Sequence, residues 1–191
     1  MKKSIITING KNGSGKSSAG KRIAASLGYT HKSSGDFQRA GALRHGMGIA
    51  EYMVYAETHP EADQETDQMV RDCGNDEKLV LDSRLGFFWI PDSFKVYLDL
   101  DPDIAVDRIL ESMKNDPLRS RSEDRIDTPE ELKAKIISRL ERDTQRYKNL
   151  YNVDMSDMSH YDLVIDTGLP ENNLDAVVSK IIIAYKEWLA S

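Results

Sequence analysis

The sequence predicts an α/β protein, a three-layer α/β/α sandwich around a five-stranded parallel sheet. Three observations carry that prediction. Short apolar segments alternate with longer segments of helical period along all 191 residues. The apolar segments are near-continuous rather than alternating, as strands covered on both faces require. The first of them runs directly into a glycine-rich turn and then a helix.

The elements follow in order. Ile5 to Asn9 is a β-branched run ending in glycine and predicts the first strand. Gly15 to Leu27 reads as a helix with Ala19, Ile23, Ala24 and Leu27 on one face, stopped by Gly28. Tyr29 to Lys32 is a second short strand. Asp36 to Gly74 is helical and polar, interrupted at Gly46–Gly48 and at Pro60. Lys78 to Asp82 and Lys95 to Asp99 are apolar strands bounded by charge. Asp101-Pro102 opens a helix as an N-cap followed by proline. Lys114 to Asp127, with Pro117 and mixed charge, predicts a mobile loop. Thr128-Pro129-Glu130-Glu131 is a capping box that starts a helix reaching Tyr151. Leu163 to Asp166 is the last strand, and Leu174 to Trp188 closes the chain with an amphipathic helix.

Composition sets outer bounds. With 26 Lys plus Arg against 32 Asp plus Glu, the net charge is −6, which disfavours a protein that coats nucleic acid. No apolar run approaches the roughly 20 residues of a membrane helix. The single cysteine, Cys73, cannot form an internal disulfide, and a cytoplasmic location is expected.

The strongest motif is Gly10-Lys11-Asn12-Gly13-Ser14-Gly15-Lys16-Ser17. It has the full Walker A spacing between a strand and a helix, the context in which backbone N–H groups cradle phosphates. Gly10, Asn12, Gly13, Ser14, Gly15, Lys16, Ser17 and Ser18 are the expected ATP-binding residues. Lys16 would reach the β- and γ-phosphates, and the Ser17 hydroxyl would bind Mg²⁺. Asp82, at the end of a buried strand, would hold the same ion through water. Arg84 follows two residues later and points at the same crevice. On the long helix Arg139, Asp143 and Arg146 fall within about 60° of one another beside the stripe of Leu132, Ile136, Leu140 and Tyr147. A polar stripe in that place faces the edge of a cleft, although a solvated ladder of i, i+3 and i+4 pairs has the same spacing.

Together these segments resemble the P-loop nucleoside monophosphate kinases, and most closely the short-form (archaeal-type) cytidylate kinases. Arg139-Leu140-Glu141-Arg142-Asp143-Thr144-Gln145-Arg146 has the Arg-x-x-x-Asp-x-x-Arg spacing of the cytidylate kinase signature. Ser34-Gly35-Asp36-Phe37-Gln38-Arg39 is similar to the segment that opens the monophosphate-binding helices of that family. The resemblance implies ATP-dependent phosphoryl transfer to a nucleoside monophosphate, CMP or dCMP, with Mg²⁺ as cofactor. AMP, another nucleotide or a small metabolite such as shikimate is the alternative acceptor, and an ATPase regulator that transfers phosphate to water is the rival from another class. The resemblance assigns catalysis to Lys16, Arg84, Arg139 and Arg146. It assigns the monophosphate to Ser34, Asp36, Arg39, Arg84, Arg139, Asp143 and Arg146, and stacking on the donor adenine to Arg108. A lid arginine from Arg119, Arg121 or Arg125 would replace Ser112, which cannot serve. Where the longer bacterial enzymes read Gly-Arg-Asp after the strand-end acid, this chain reads Ser83-Arg84-Leu85. One domain is expected, with a core of about 1–35, 75–113 and 152–191, monophosphate-binding helices at about 36–74, and a lid with its following helix at about 114–151. The partners expected are ATP and the monophosphate, with no nucleic acid or membrane, and the chain acting as a monomer.

Overall fold

Five parallel strands lie in the order β2-β3-β1-β4-β5 in a computed structural model that describes residues 2–115 and 128–191. The strands are β1 (Ile5–Gly10), β2 (Thr30–Ser33), β3 (Leu79–Asp82), β4 (Phe94–Asp99) and β5 (Leu163–Asp166). Every residue of central β1 is buried. Its alternation sorts the core into two layers: Ile6 and Ile8 face one side, and Ile5 faces the other. The first layer is covered by α1 (Lys16–Leu27) and the closing helix α8 (Leu174–Ala190), which brings Val177, Ile181 and Tyr185 onto Ile6, Val80 and Val96. Opposite, α4 (Pro60–Asp72) and the short α5 (Gly86–Trp89) cover Ile5, Leu79 and Leu81 with Val70 and Trp89, joined by Ile90 just beyond α5. The three-layer parallel sandwich is therefore the fold observed.

The register aligns the functional strand ends. Asp82 pairs with Ile8 on β1 and with Ser33 on β2, so the carboxyl ends of β2 and β3 open beside the glycine-rich turn. The chain leaves β1 between β3 and β4, and the reversal of strand order there is where open α/β sheets bind ligands.

The segment expected to be helical over 36–74 divides at the expected breaks into α2 (Ser34–Arg44), α3 (Ile49–Thr58) and α4. Tyr52 ties the three together, fully buried among Ala42, Ala56 and Ala62. Asp101 caps α6 (Pro102–Asn115), accepting from the Asp103 N–H at 2.8 Å. Thr128 caps α7 (Pro129–Tyr151), its Oγ1 accepting from the Glu131 N–H at 3.1 Å. Leu132 and Ile136 seat one end of α7 on Ala105, Val106 and Ile109 of α6. Near the other end Tyr147 packs with Leu85 and Phe87. The helix thus crosses the open end of the sheet. The expected loop, beyond Asn115, and Arg119, Arg121 and Arg125 lie outside the described residues.

Candidate active site

Gly10 and Gly15 show why glycine is needed in the turn after β1. A Cβ on Gly10 would lie 2.2 Å from the Leu98 carbonyl oxygen of neighbouring β4, and its φ is +149°. Gly15 has open space around it but a φ of +85°, so only its backbone conformation demands glycine. Gly15 sits at the N-cap of α1 and supplies no side-chain cap, and no acidic residue occupies the first turn. The first N–H groups of α1 therefore face the turn without a local acceptor, together with the positive end of the helix. That is an anion site in search of phosphate oxygens.

Lys16 Nζ donates to the Lys11 carbonyl at 2.9 Å, folded back over the turn. Burial lowers its pKa to about 8; Asp82 opposes the shift, and Arg84 and Arg139 add to it. An ammonium crowded by two guanidinium groups is a strong attractor for a polyanion. Ser17 Oγ donates to the Asp82 carboxylate, so the two expected metal ligands are in contact. Lys11 forms a 2.7 Å ion pair with Asp99 at the end of β4.

Across from this cradle, Arg84 joins two elements. Its Nη2 donates to Asn12 Oδ1 in the turn at 3.2 Å, and its Nε lies 3.1 Å from Asp143 Oδ2 on α7. Asp143 also accepts from Arg146 Nη2 at 3.3 Å. Arg146 in turn has Nε 3.5 Å from Asp63 Oδ2 on α4 and donates from Nη2 to the Tyr147 hydroxyl at 3.3 Å. Burial lowers the affinity of Arg146 for its proton, but Tyr147, Asp63 and Asp143 more than offset that and leave the pKa raised. Of the polar stripe on α7, Asp143 is buried and Arg146 half-buried, whereas Arg139 is exposed at the cleft.

Two connected hollows follow from this arrangement. An open cleft of about 1020 Å³ includes Asn12, Arg39, Asp63, Arg139, Asp143 and Arg146 in its lining. A smaller cavity of about 40 Å³ beneath it takes in Ser34, Thr66, Asp67, Arg84, Arg139 and Asp143 among others. Five of the expected acceptor-side residues, Ser34, Arg84, Arg139, Asp143 and Arg146, are thus gathered around one cavity, and Arg39 stands at the cleft. Asp36 is not brought into either hollow: it is exposed and receives a hydrogen bond from Arg39. Arg108 stands apart, donating from Nη2 to the Thr167 carbonyl at 2.6 Å, on the α6 side of the cradle.

The sequence reading passed over Asp63, which lines the cleft, and Asp67, which lines the smaller cavity and accepts from the Tyr151 hydroxyl. Ala62, Asp63, Thr66, Asp67 and Val70 form the buried stripe of α4. Two acids at helical spacing on an otherwise core-facing stripe were the available signal. Burial raises the pKa of both, with Arg146 opposing the shift at Asp63 and the Tyr151 hydroxyl opposing it at Asp67.

Several known proteins are similar to this chain. A family described as "AAA domain" matches residues 6–137. Cytidylate kinase of Pyrococcus horikoshii is 32% identical over 167 residues, covering 87% of this chain and 81% of that protein. The S-adenosylmethionine-dependent nucleotide dehydratase of Lacinutrix mariniflava is 36% identical over 167 residues, but this chain spans only 33% of that longer protein. Among solved structures, shikimate kinase from Bacteroides thetaiotaomicron superposes with a TM-score of 0.66 at 16% identity over 98% of each chain, a likeness of fold. The parallel sheet order and the identity to the archaeal enzyme make the chain a P-loop kinase. Within that class, with the extent of identity to the archaeal enzyme, the chain belongs to the cytidylate kinase family.

Proposed function

We propose that the protein transfers the γ-phosphoryl group of ATP to CMP or dCMP, using the residues gathered at the cleft. The observation that carries this reading is the convergence of Arg84, Arg139 and Arg146 on a cavity next to Lys16 and the uncapped N-terminus of α1. Two nucleotides can meet end to end only if something offsets the repulsion between their phosphates. A row of fixed cations between a donor cradle and an acceptor pocket does so. The names of the archaeal relatives support cytidine monophosphate as the acceptor.

In this reading the turn and Lys16 hold the donor phosphates, while Arg108, anchored by Thr167, borders the donor base. Arg84 touches both sides and would follow the phosphoryl group as it crosses. Arg39, Arg139 and Arg146 would grip the acceptor phosphate, with Ser34 deeper in the cavity. An acceptor that is already an oxyanion needs no general base, which suits a site without a histidine in its lining. Ser17 and Asp82 present two hard oxygen ligands in contact, and no cluster of three His, Cys, Asp or Glu occurs among the described residues. That set fits Mg²⁺, which is commonly held by one or two carboxylates with substrate phosphates and waters completing its shell. When bound, the ion would neutralise charge on the β- and γ-phosphates. Helices α2 to α4 act as the acceptor-binding segment of one monomeric, cytoplasmic domain, with α7 as the helix that follows the expected lid, which lies outside the described residues.

The test is ADP release with ATP, magnesium and a panel of nucleoside monophosphates. CMP and dCMP are expected to give turnover well above the hydrolytic background, and Arg146→Ala to bring it down to that background. Equal rates with and without every acceptor would overturn the kinase reading.

A further inference from the structure

The phosphate turn begins at a backbone N–H with no strand to receive it. The Ile8 carbonyl accepts from the Ser83 N–H, just past β3, at 3.0 Å, and the Lys11 N–H donates to the Leu98 carbonyl of β4 at 3.1 Å. Backbone groups of a central strand alternate between its two neighbours, so the Gly10 N–H turns toward the β3 side. There the pairing has already ended, at Ile8 and Asp82. The Asn9 side chain takes the place of the missing strand, its Oδ1 accepting from the Gly10 N–H at 2.7 Å. Asn9 is 2% exposed, so its amide must be satisfied within the protein. Its Nδ2 donates to the Tyr161 hydroxyl at 2.6 Å, from a residue 152 positions away along the chain. Tyr161 in turn donates to the Met155 carbonyl at 2.8 Å.

Packing fixes each member of this relay. The Tyr161 ring lies 5.0 Å from both Phe87 and Tyr97, and Tyr97 is the register partner of Asn9 on β4. Met155 is buried with Leu85, Phe87, Tyr147 and Val153. Two successive Asx turns stiffen the segment between α7 and β5: Asp154 Oδ1 accepts from the Ser156 N–H and Asp157 Oδ1 from the Ser159 N–H, each at 2.9 Å. Burial raises the pKa of Tyr161 against the opposing bond from Asn9, so its hydroxyl keeps the proton that it donates to Met155.

Resting on the reading of the turn as the donor-phosphate cradle, we infer that Asn9 and Tyr161 are positioning residues for ATP, the tyrosine aiming the asparagine and the asparagine locking the Gly10 N–H that opens the cradle. Gly10 has a φ of +149°, and the freedom that lets glycine turn the chain there also lets it turn elsewhere. Within the turn, Ser14 Oγ and Lys16 Nζ both donate to the Lys11 carbonyl, at 2.8 and 2.9 Å, and Lys16 must leave that bond to reach a phosphate. The Asn9 bond uses no group that a phosphate needs, so it holds the turn in the free and the loaded protein alike. A cradle fixed beforehand loses less binding free energy to ordering itself. Neither Asn9 nor Tyr161 lines the cleft or the cavity, so both act through Gly10.

The experiment measures binding of a non-hydrolysable ATP analogue with magnesium, and separately of CMP alone, by calorimetry. The proteins are wild type, Tyr161→Phe, Asn9→Ala and the double variant. Tyr161→Phe keeps the ring against Phe87 and Tyr97 and should weaken the analogue about 2- to 10-fold, the span of one neutral hydrogen bond, with CMP binding unchanged. Asn9→Ala should weaken it at least as much. The double variant should be no worse than Asn9→Ala, since the tyrosine acts only through the asparagine. A merely structural role would lower the melting temperature and leave the analogue's affinity for the folded protein where it was. Should Asn9→Ala unfold, Tyr161→Phe decides alone. Unchanged analogue affinity in the folded variants, equal losses for the analogue and CMP, or additive losses in the double variant would overturn the role and leave the kinase reading standing. A wild type that does not bind the analogue would instead remove the donor-site reading, and the inference with it.

Discussion

At the residue scale, the free protein holds the Lys16 ammonium at a cost. Lys16 has a folded pKa near 8 against 10.5 for an ordinary lysine, so the native state binds its proton less tightly than the unfolded chain does. Below about pH 8 the lysine is charged in both states and its burial works against folding. Between about pH 8 and 10.5 the unfolded chain holds more protons, so this residue's contribution to stability rises with pH. Lys16→Met should therefore abolish phosphoryl transfer and yet raise the melting temperature at pH 7. Each 1 kcal/mol gained would appear as about 2–4 °C. The gap between mutant and wild type should close as the pH approaches 10.5. A mutant that melts below wild type at pH 7 would contradict the assigned electrostatics. The same lysine, set against donor phosphates, would recover a favourable environment, so strain in the free site becomes affinity in the loaded one.

At the element scale, the turn after β1 and the helix that follows it separate two demands on glycine. Gly10→Ala drives a Cβ into the Leu98 carbonyl, and β1 cannot retreat because its register with β4 runs from Ile6 to Gly10. Gly15→Ala meets nothing within 4 Å and suffers only the left-handed backbone. Urea unfolding should show Gly10→Ala losing more than about 2 kcal/mol, the range of severe steric mutations. Gly15→Ala should lose about 1–2 kcal/mol, the cost of a left-handed non-glycine residue. The opposite ranking would mean that the turn adjusts more freely than its pairing implies. Elements of this kind were legible in the sequence because local chemistry dictates them: the glycine spacing, the Thr128 cap and the breaks at Gly46–Gly48 and Pro60 each act within a few residues. Short α5 was not foreseen: Gly86 to Trp89 carries no local helix signal, and its turn accompanies the docking of Leu85 and Phe87 against Tyr147. The acids of α4 were missed for a related reason. Asp63 and Asp67 share the buried stripe of α4, a spacing visible in the sequence, but their partners Arg146 and Tyr151 lie on α7, far along the chain. The arginines of α7 were found through their family spacing, but their direct grip on Asp63 required the folded chain.

At the scale of the whole molecule, a net charge of −6 coexists with a cleft where Arg39, Arg139, Arg142 and Arg146 line one hollow. The acids in that cleft, Asp63 and Asp143, are distributed among the guanidinium groups. They keep the site from being a bare positive surface while it is empty, and they reserve its full charge for a ligand able to compete with a carboxylate. Arg84 gives this arrangement a thermodynamic side. One guanidinium bridges Asn12 in the donor turn and Asp143 on the helix that overlooks the acceptor. A ligand drawing Arg84 from either partner would loosen its hold on the other, so the two proposed binding events would share one internal cost and the first nucleotide to arrive would spare the second. Binding of a non-hydrolysable ATP analogue should accordingly tighten CMP binding several-fold in calorimetry, and CMP should tighten the analogue by the same factor. Asn12→Ala, which removes the donor-side tether, should shrink that mutual gain, whereas independent binding in the wild type would contradict it. Such reciprocity would make the enzyme most charged with purpose when both substrates are aboard: ATP alone would leave the bridge half made, and water would find the phosphoryl group poorly served.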